Sequence, residues 1–125
     1  NKNFNDEVIL SKKKKIKLFK NIYFSPLHIS TLTQFISNYL FELKPGIYNV
    51  GSNNKISKSN YIKKLCKIVG AKRDFILTNY SNKIVKRPLD MSMNITRVNK
   101  FCELNYCIHD EIYKLANEYK NDQNW

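Results

Sequence analysis

The residues best suited to chemistry lie in the stretch 86–101, and an arginine is the first of them. Arg87 stands before Pro88, which fixes its own φ and favours an extended backbone at the arginine. Seven residues after Arg87, Asn94 is a favourable N-cap and predicts a short helix. An extended arginine ahead of a capped helix can offer its guanidinium to a phosphate or a carboxylate. The stretch therefore permits two interpretations of Arg87, a contact with a bound anion, or a guanidinium that caps a neighbouring helix or pairs with a surface carboxylate.

The other groups that could react are few. His28 lies just ahead of a predicted helix, and no carboxylate or nucleophile is near it in sequence, so we expect a packed or hydrogen-bonded imidazole. Cys102, Cys107 and His109 are close together and permit two interpretations, part of a metal site or thiols near a helix end. A fourth ligand has no obvious source and zinc-ribbon spacing is absent, so we expect thiols and no metal.

Composition predicts one packed domain in a reducing compartment. The chain has 125 residues, of which 42% are hydrophobic and 13% aromatic, enough for a core. Its three cysteines have no CxxC spacing, which favours a reduced intracellular protein. The sequence has no Gly-rich loop, no recognisable signal peptide and no apolar run long enough for a bilayer. We expect a cytoplasmic protein that does not enter a membrane.

The charge permits two interpretations. Lys and Arg number 22 against 10 Asp and Glu, a net charge of +12, which is typical of nucleic-acid binders. However, the lysines are scattered and asparagine is also abundant, so a general compositional bias explains the charge as well. We expect the bias, and no nucleic-acid partner.

Strands and helices alternate along the chain, which predicts α/β layering with a parallel pair of strands. The most regular helix carries a wide apolar stripe that includes Phe35, Ile36 and Leu40. The predicted elements are, in order, the end of a helix at 4–10, a strand at 16–19, an extended segment at 22–26, a helix capped by Ser30, a strand at 46–51, a helix between Ser57 and Gly70, an extended piece at 75–77, a helix from Asn94 to Tyr106 with Val98 and Phe101 on one face, and a helix from 109 or 110 to 119.

Four segments in this order resemble extended short-chain dehydrogenases/reductases that act on nucleotide sugars, above all the dTDP-4-dehydrorhamnose reductase group. FSPLHISTLTQFI resembles the family's Ser-Pro-Thr-(Tyr/His)-Val-Asp-Asp-Leu-Ala stretch, with Ser30 at the helix-capping Asp. GIYNVGSNNKISKSNYIKKL resembles its Gly-Ile-Tyr-His-Val segment and the helix after it. RPLDMSMNITRVNKF resembles Arg-Pro-x-Asn-x-x-x-Asp-x-Ser-Lys-Leu, and IHDEIYKLANEY the closing helix. The resemblance spans roughly residues 19–119.

The resemblance implies a Rossmann-type enzyme and the residues of its substrate site. It makes Arg87, Asp90 and Asn94 substrate-binding residues, with the diphosphate at Arg87. It also implies that five residues lie near the site for structural reasons: Ser25, Pro26, His28, Ser30 and Pro88. Asp90 stands where the family has Asn, Asn94 where it has Asp, and Arg97 where it has Lys. Charge and capping survive these exchanges, whereas individual substrate contacts need not.

The family's chemistry is not encoded in this chain. NAD(P) is bound in the family by an N-terminal Gly-x-x-Gly-x-x-Gly loop, and a Tyr-x-x-x-Lys pair moves the proton. No tyrosine here has lysine four residues later, so we expect no catalytic residue in the chain. We expect residues 1–18 to end a truncated upstream region, 19–119 to bind a nucleotide sugar, and 120–125 to fray. NAD(P)H would be bound by the missing part of a reductase that can form a homodimer.

Three alternatives remain at this point. An epimerase or dehydratase of the same superfamily differs from the reductase mainly in the missing half. A non-catalytic relative would keep the fold and lack the chemistry. A free-standing basic nucleic-acid module would bind DNA or RNA with strong salt dependence. If the chain is a fragment, its first strands and the helix after Ser30 should expose apolar surface that an absent sheet would cover.

Overall fold

A computed structural model describes residues 3–10, 15–81 and 86–121, which form a mixed α/β fold as predicted. A short 3₁₀ helix, Val98–Lys100, lies between the last strand and the last helix. The other elements are α1 (Phe4–Leu10), β1 (Lys15–Phe19), β2 (Tyr23–Phe24), α2 (Ile29–Tyr39), β3 (Ile56–Ser57), α3 (Lys58–Val69), β4 (Asp74–Thr78), β5 (Asp90–Met91) and α4 (Ile108–Asn121).

The strands form two small sheets. β1 pairs with β4 in parallel, from Lys15 opposite Asp74 to Phe19 opposite Thr78. The chain crosses from β1 to β4 through α2 and α3, so the predicted parallel arrangement is confirmed. β2 is the central strand of the second sheet, antiparallel to β3 and parallel to β5. This second sheet brings three distant parts of the sequence together.

Two apolar clusters hold the elements in place. The larger one lies between α1, α3, α4 and β1, and Leu65, Ile112 and Ala116 at its centre are fully buried. The smaller one joins α2 to the 3₁₀ helix through Phe35 and Val98. α1 belongs to the larger cluster, and the guanidinium of Arg73 binds the last carbonyls of that helix. Burial of these apolar side chains is the main stabilising contribution.

The cap predicted for α3 is confirmed, and the cap predicted for α2 is wrong. Ser57 Oγ accepts from the N–H of Asn60 at 3.2 Å, and Gly70 ends α3 with φ +82°. α2 begins at Ile29, and its N-cap is His28, whose Nδ1 accepts from the N–H of Ser30 at 3.3 Å. The ring nitrogen of His28 thus accepts the backbone N–H bond that a serine oxygen usually accepts at an N-cap. Ser30 lies within the first turn of the helix.

The strand predicted at 46–51 is not formed among the described residues. Ile47, a residue type that favours strands, is 84% exposed. No described segment offers a backbone ladder to residues 47–50, and without a ladder a β-favourable sequence has no strand to join.

The prediction of a helix from Asn94 to Tyr106 is mostly wrong, and the last helix is longer than predicted. Residues 103–107 are not helical, and Val98–Lys100 is all that forms. Val98 is fully buried whereas Phe101 is 46% exposed, so the two do not share a buried face. α4 begins at Ile108 and continues through Asn121, which includes part of the segment expected to fray. Residues 122–125 of that tail lie outside the described residues.

None of the helices in the described ranges has the length and apolar character needed to cross a bilayer.

Candidate functional site

Arg87 and Pro88 lead directly into β5, at an edge of the three-stranded sheet. Both side chains are exposed. The N–H of Tyr23 on β2 donates to the carbonyl of Leu89 at 2.8 Å, which ties this segment to the central strand. The arginine is therefore presented to solvent from a backbone that a neighbouring strand fixes, as an anion contact requires.

Asp90 forms an ion pair with Lys55, which lies just before β3. Its Oδ1 also accepts from the N–H of Ser92 at 3.0 Å. The hydrogen bonds from Lys55 and then from Ser92 lower the pKa of Asp90 to about 2. Asp90 is therefore ionised at neutral pH and can accept hydrogen bonds from a ligand, but it cannot supply a proton.

Lys55 is a site residue that the sequence analysis did not identify. Its Nζ lies 5.1 Å from the centroid of the Tyr23 ring, beside the carboxylate of Asp90. It precedes Asp90 by 35 residues, and only the pairing of β3, β2 and β5 brings the two together. No local signal distinguishes it from the other lysines of a lysine-rich chain.

Ser25 and Gly51 support the far end of β5. Ser25 Oγ accepts from the N–H of Met93 at 3.1 Å. A Cβ at Gly51 would lie 3.2 Å from Cβ of Ser25 and 3.3 Å from Cβ of Met93. Glycine lets these three segments approach so closely, and the hydrogen bond from Met93 holds them together at Ser25.

Asn94 is engaged in the turn that follows β5. Its Oδ1 accepts from the N–H of Thr96 at 3.0 Å, and its carbonyl accepts from Nδ2 of Asn49 at 3.4 Å. Arg97 donates to the carbonyl of Ile47 at 3.1 Å, with its guanidinium carbon 5.0 Å from the Tyr48 ring centroid. The predicted capping role of Asn94 thus applies to a turn, and Arg97 has a structural role beside it.

His28 belongs to a separate network that joins α2 to α4. Its N–H donates to Oε2 of Glu111 at 2.7 Å, and its Nε2 lies 3.0 Å from Oε1 of Glu118. Nδ1 is 2.7 Å from the hydroxyl of Ser30. The imidazole is packed and hydrogen-bonded as predicted, although the structure supplies the carboxylates that its sequence neighbourhood lacks.

A cavity of about 240 Å³ lies beside this network. Buried Pro26 lines it, together with Tyr61 of α3 and Glu111 of α4. Burial tends to raise the pKa of Glu111, but hydrogen bonds from Lys114, the His28 N–H and Thr31 outweigh it and lower the pKa. The predicted residues thus divide into two groups. Arg87, Pro88, Asp90, Asn94 and Ser25 surround β5, whereas Pro26, His28 and Ser30 secure the start of α2.

Cys102 and Cys107 are free thiols that differ in burial. Cys102 is buried, and its Sγ donates to the carbonyl of Val98 at 3.6 Å. Cys107 is exposed, and the ring of His109 faces that of Tyr113 at 6.3 Å. Within residues 3–10, 15–81 and 86–121, no three His, Cys, Asp or Glu side chains are grouped as metal ligands.

The sequence matches no protein-family profile and no curated protein. The fold, in contrast, matches solved structures. A dTDP-4-dehydrorhamnose reductase from Clostridium acetobutylicum superposes with a TM-score of 0.82 at 12% identity, over 100% of this chain and 45% of that protein. The reductase from Bacillus anthracis, solved with NADP, gives 0.78 at 18% identity, over 94% and 43%. A UDP-Glc/GlcNAc 4-epimerase from Campylobacter jejuni gives 0.68 at 16%, over 94% and 39%.

The chain spans less than half the length of each of these proteins. At identities below one fifth, the likeness concerns the fold and not the individual contacts. It nevertheless covers nearly the whole chain, including both sheets and the helices that hold β5 in place. The chain has the fold of a part of the dTDP-4-dehydrorhamnose reductases and of the epimerases and dehydratases related to them.

Proposed function

We propose that this chain is the substrate-binding part of an NAD(P)H-dependent reductase of a 4-keto nucleotide sugar. The observation that carries the proposal is the superposition on dTDP-4-dehydrorhamnose reductases, with TM-scores of 0.77 to 0.82. A dTDP-glucose 4,6-dehydratase reaches 0.64 and the UDP-sugar 4-epimerases 0.60 to 0.68. The difference favours a reductase over the other members of the superfamily.

In this proposal the surface around β5 binds the nucleotide sugar. Arg87 is exposed beside the strand and pairs with the diphosphate, a charge-assisted contact worth about 1.5–3 kcal/mol. Asp90 is ionised and accepts from a sugar or ribose hydroxyl. Lys55 neutralises part of the charge on Asp90, so that the carboxylate does not repel the diphosphate.

The reaction itself needs groups from outside the chain. A bound nicotinamide cofactor supplies the hydride that reduces the 4-keto group. The chain has no glycine-rich loop for the dinucleotide and no Tyr-x-x-x-Lys pair to deliver the proton. Its own part is to bind and orient the substrate, which can account for much of the rate advantage when a reacting carbon must meet a hydride donor.

An uncovered apolar surface on α2 supports the proposal of a larger protein. Ile29 and Ile36 are exposed on α2, and so are the two residues just after the helix, Leu40 and Phe41, of which Phe41 is 96% exposed. Ile47, in the segment expected to form a strand, belongs to the same set of uncovered side chains. We take this surface to pack against the nucleotide-binding part, whose sheet would also offer a ladder to residues 47–50.

Replacing Arg87 in the protein that carries this chain tests the substrate site. Arg87→Ala should weaken dTDP binding by roughly 10- to 150-fold, since each 1.4 kcal/mol is a factor of about ten. Lys86→Ala is the matched control, because it removes a neighbouring exposed charge and should change the affinity by less than about threefold. Equal losses in both variants, or no loss in either, would exclude Arg87 from the site.

An activity assay separates the reductase from its alternatives. A reductase should oxidise NAD(P)H only when a 4-keto nucleotide sugar is present. Interconversion of sugar epimers without net consumption of NAD(P)H would instead identify an epimerase. Tight dTDP-sugar binding with no turnover, in a protein lacking Tyr-x-x-x-Lys throughout, would identify a non-catalytic relative.

A further inference from the structure

A second cavity, of about 490 Å³, lies at the C-terminal end of α3, away from β5. The lining side chains come from the last turns of α3, from the loop after Gly70 and from the start of β4: Lys63, Cys66, Lys67, Ala71, Lys72, Arg73, Asp74 and Phe75. Its volume falls in the range of about 300–1,000 Å³ that small-molecule sites usually occupy.

Cations are concentrated in this cavity beyond what the composition explains. Lys and Arg are 22 of the 125 residues of the chain, whereas they are four of the eight residues that line the cavity. The lining has a single carboxylate, that of Asp74, whose partner in the parallel ladder is Lys15. The share of cations in the lining is thus more than twice their share in the chain.

Among the described residues, the three lysines of the cavity lie without a carboxylate partner. Lys63 and Lys67 are four residues apart on α3, so two like charges share one face of the helix and destabilise it slightly. In the described part of the chain, no carboxylate forms an ion pair with Lys63, Lys67 or Lys72. A bound anion would relieve this repulsion, so the charges favour occupancy by a multivalent anion.

The rest of the lining adds a fixed guanidinium and three uncharged side chains. Arg73 donates to the carbonyls of Val8 at 3.1 Å, of Ile9 at 2.8 Å and of Lys72 at 2.8 Å, so its guanidinium is fixed in place. Burial raises the pKa of the Cys66 thiol, against the opposing effect of Arg73, and the thiol is therefore uncharged. Ala71 and Phe75 add half-buried apolar surface that can receive an aromatic base.

We propose that this cavity is a second binding site, for the polyphosphate of a small molecule such as a nucleoside triphosphate. Lys63, Lys67 and Lys72 bind the phosphate oxygens, and the Ala71 and Phe75 side contacts the base. α3 has 12 residues and is about 18 Å long, and its other end adjoins β3 in the sheet that carries the substrate surface. The site is thus separate from the substrate surface, and it does not depend on the proposed reductase activity.

Calorimetric titration of the chain with inorganic tripolyphosphate, ATP and adenosine tests the site. We expect tripolyphosphate and ATP to bind and adenosine not to bind. The double variant Lys67→Gln, Lys72→Gln should weaken both by about tenfold or more, because two charge-assisted contacts are lost. Lys64→Gln is the matched control, since Lys64 is an exposed lysine on the same helix that does not line the cavity. It should change the affinity by less than about twofold.

The comparison of ligands identifies what occupies the cavity. ATP binding tighter than tripolyphosphate means that the base contacts the apolar side, and equal affinities mean that the polyphosphate alone is recognised. If Lys64→Gln weakened binding by half as much as the double variant, on a logarithmic scale, the site would be overturned, because one charge against two is the ratio that net charge alone gives. Loss of tripolyphosphate binding in Arg87→Ala, with the double variant unaffected, would also overturn it by placing the anion at the substrate surface.

Discussion

The backbone N–H of His28 donates a 2.7 Å hydrogen bond to Oε2 of Glu111, and this bond joins the start of α2 to α4. Oε1 of the same carboxylate accepts from Lys114 at 2.9 Å, and Lys114 also donates to the hydroxyl of Thr31. Glu111 is only 4% exposed. One buried carboxylate therefore holds the first turn of α2 against α4.

Glu111→Gln should lower the free energy of unfolding by about 1–3 kcal/mol. The amide matches the carboxylate in shape, but its NH₂ group must face one of two donors, the His28 N–H or the Lys114 ammonium. Urea unfolding followed by circular dichroism measures the loss. Glu118→Gln is the control on the same helix. That side chain is 56% exposed, and the change should stay below about 1 kcal/mol. Similar losses in the two variants would contradict a special role for Glu111.

The same carboxylate should make stability depend on acid pH. The pKa of Glu111 is lower in the folded chain than its ordinary 4.5, so the folded state favours the ionised form. Its contribution is complete above pH 4.5 and is lost as the pH falls through the lowered value. Unfolding free energies measured from pH 7 to pH 3 should therefore converge between the wild type and Glu111→Gln at the acid end. A constant difference across this range would show that ionisation is not involved.

Alanine variants at His28 and Ser30 should show which of the two residues caps α2. Because Nδ1 of His28 accepts from the Ser30 N–H, His28→Ala should cost about 1–2 kcal/mol of stability. Ser30→Ala removes only an exposed hydroxyl bonded to the imidazole and should cost less than about 0.5 kcal/mol. Thermal unfolding of both variants measures the order. A larger loss in Ser30→Ala would restore the serine as the cap.

Gly51→Ala should disturb β5 by steric contact. The new Cβ would meet Cβ of Ser25 at 3.2 Å and Cβ of Met93 at 3.3 Å, so one of the three segments must move. We expect a loss of about 1–3 kcal/mol and weaker nucleotide-sugar binding. Gly70→Ala is a useful comparison, since no atom lies within 4 Å of its Cβ and the cost comes from φ +82° alone. It should lose about 1 kcal/mol of stability with binding unchanged. Equal effects on binding would remove Gly51 from the support of the site.

The exposed side of α2 should govern the solubility of the isolated chain. Replacing both Ile36 and Leu40, which are 43% and 55% exposed, by Glu removes uncovered apolar surface, so light scattering should fall while the melting temperature changes far less than in a core variant. Phe35→Glu is the contrasting variant, because Phe35 is buried in the cluster with Val98 and its replacement should unfold the chain. Unchanged aggregation in the double variant would mean that another surface associates.

The sequence by itself predicted the elements that local signals determine. Ser57 begins α3 and Gly70 ends it, because a capping hydroxyl and a left-handed glycine act within one turn of their own position. The apolar period of α4 is equally local, since a buried stripe needs only the 3.6-residue repeat. The order of these elements, with the resemblance it carries, led to the reductase-like fold that the superpositions support.

Only the tertiary structure decided which distant groups meet. Lys55 joins Asp90, and Glu111 joins His28 across 83 residues, because strand pairing and helix packing bring these side chains within bonding distance. The strand predicted at 46–51 is absent for the same reason. A strand needs a neighbouring strand for its backbone hydrogen bonds, and the described residues do not supply one here. Local sequence encodes where a helix begins and ends, whereas long-range partners depend on how the whole chain packs.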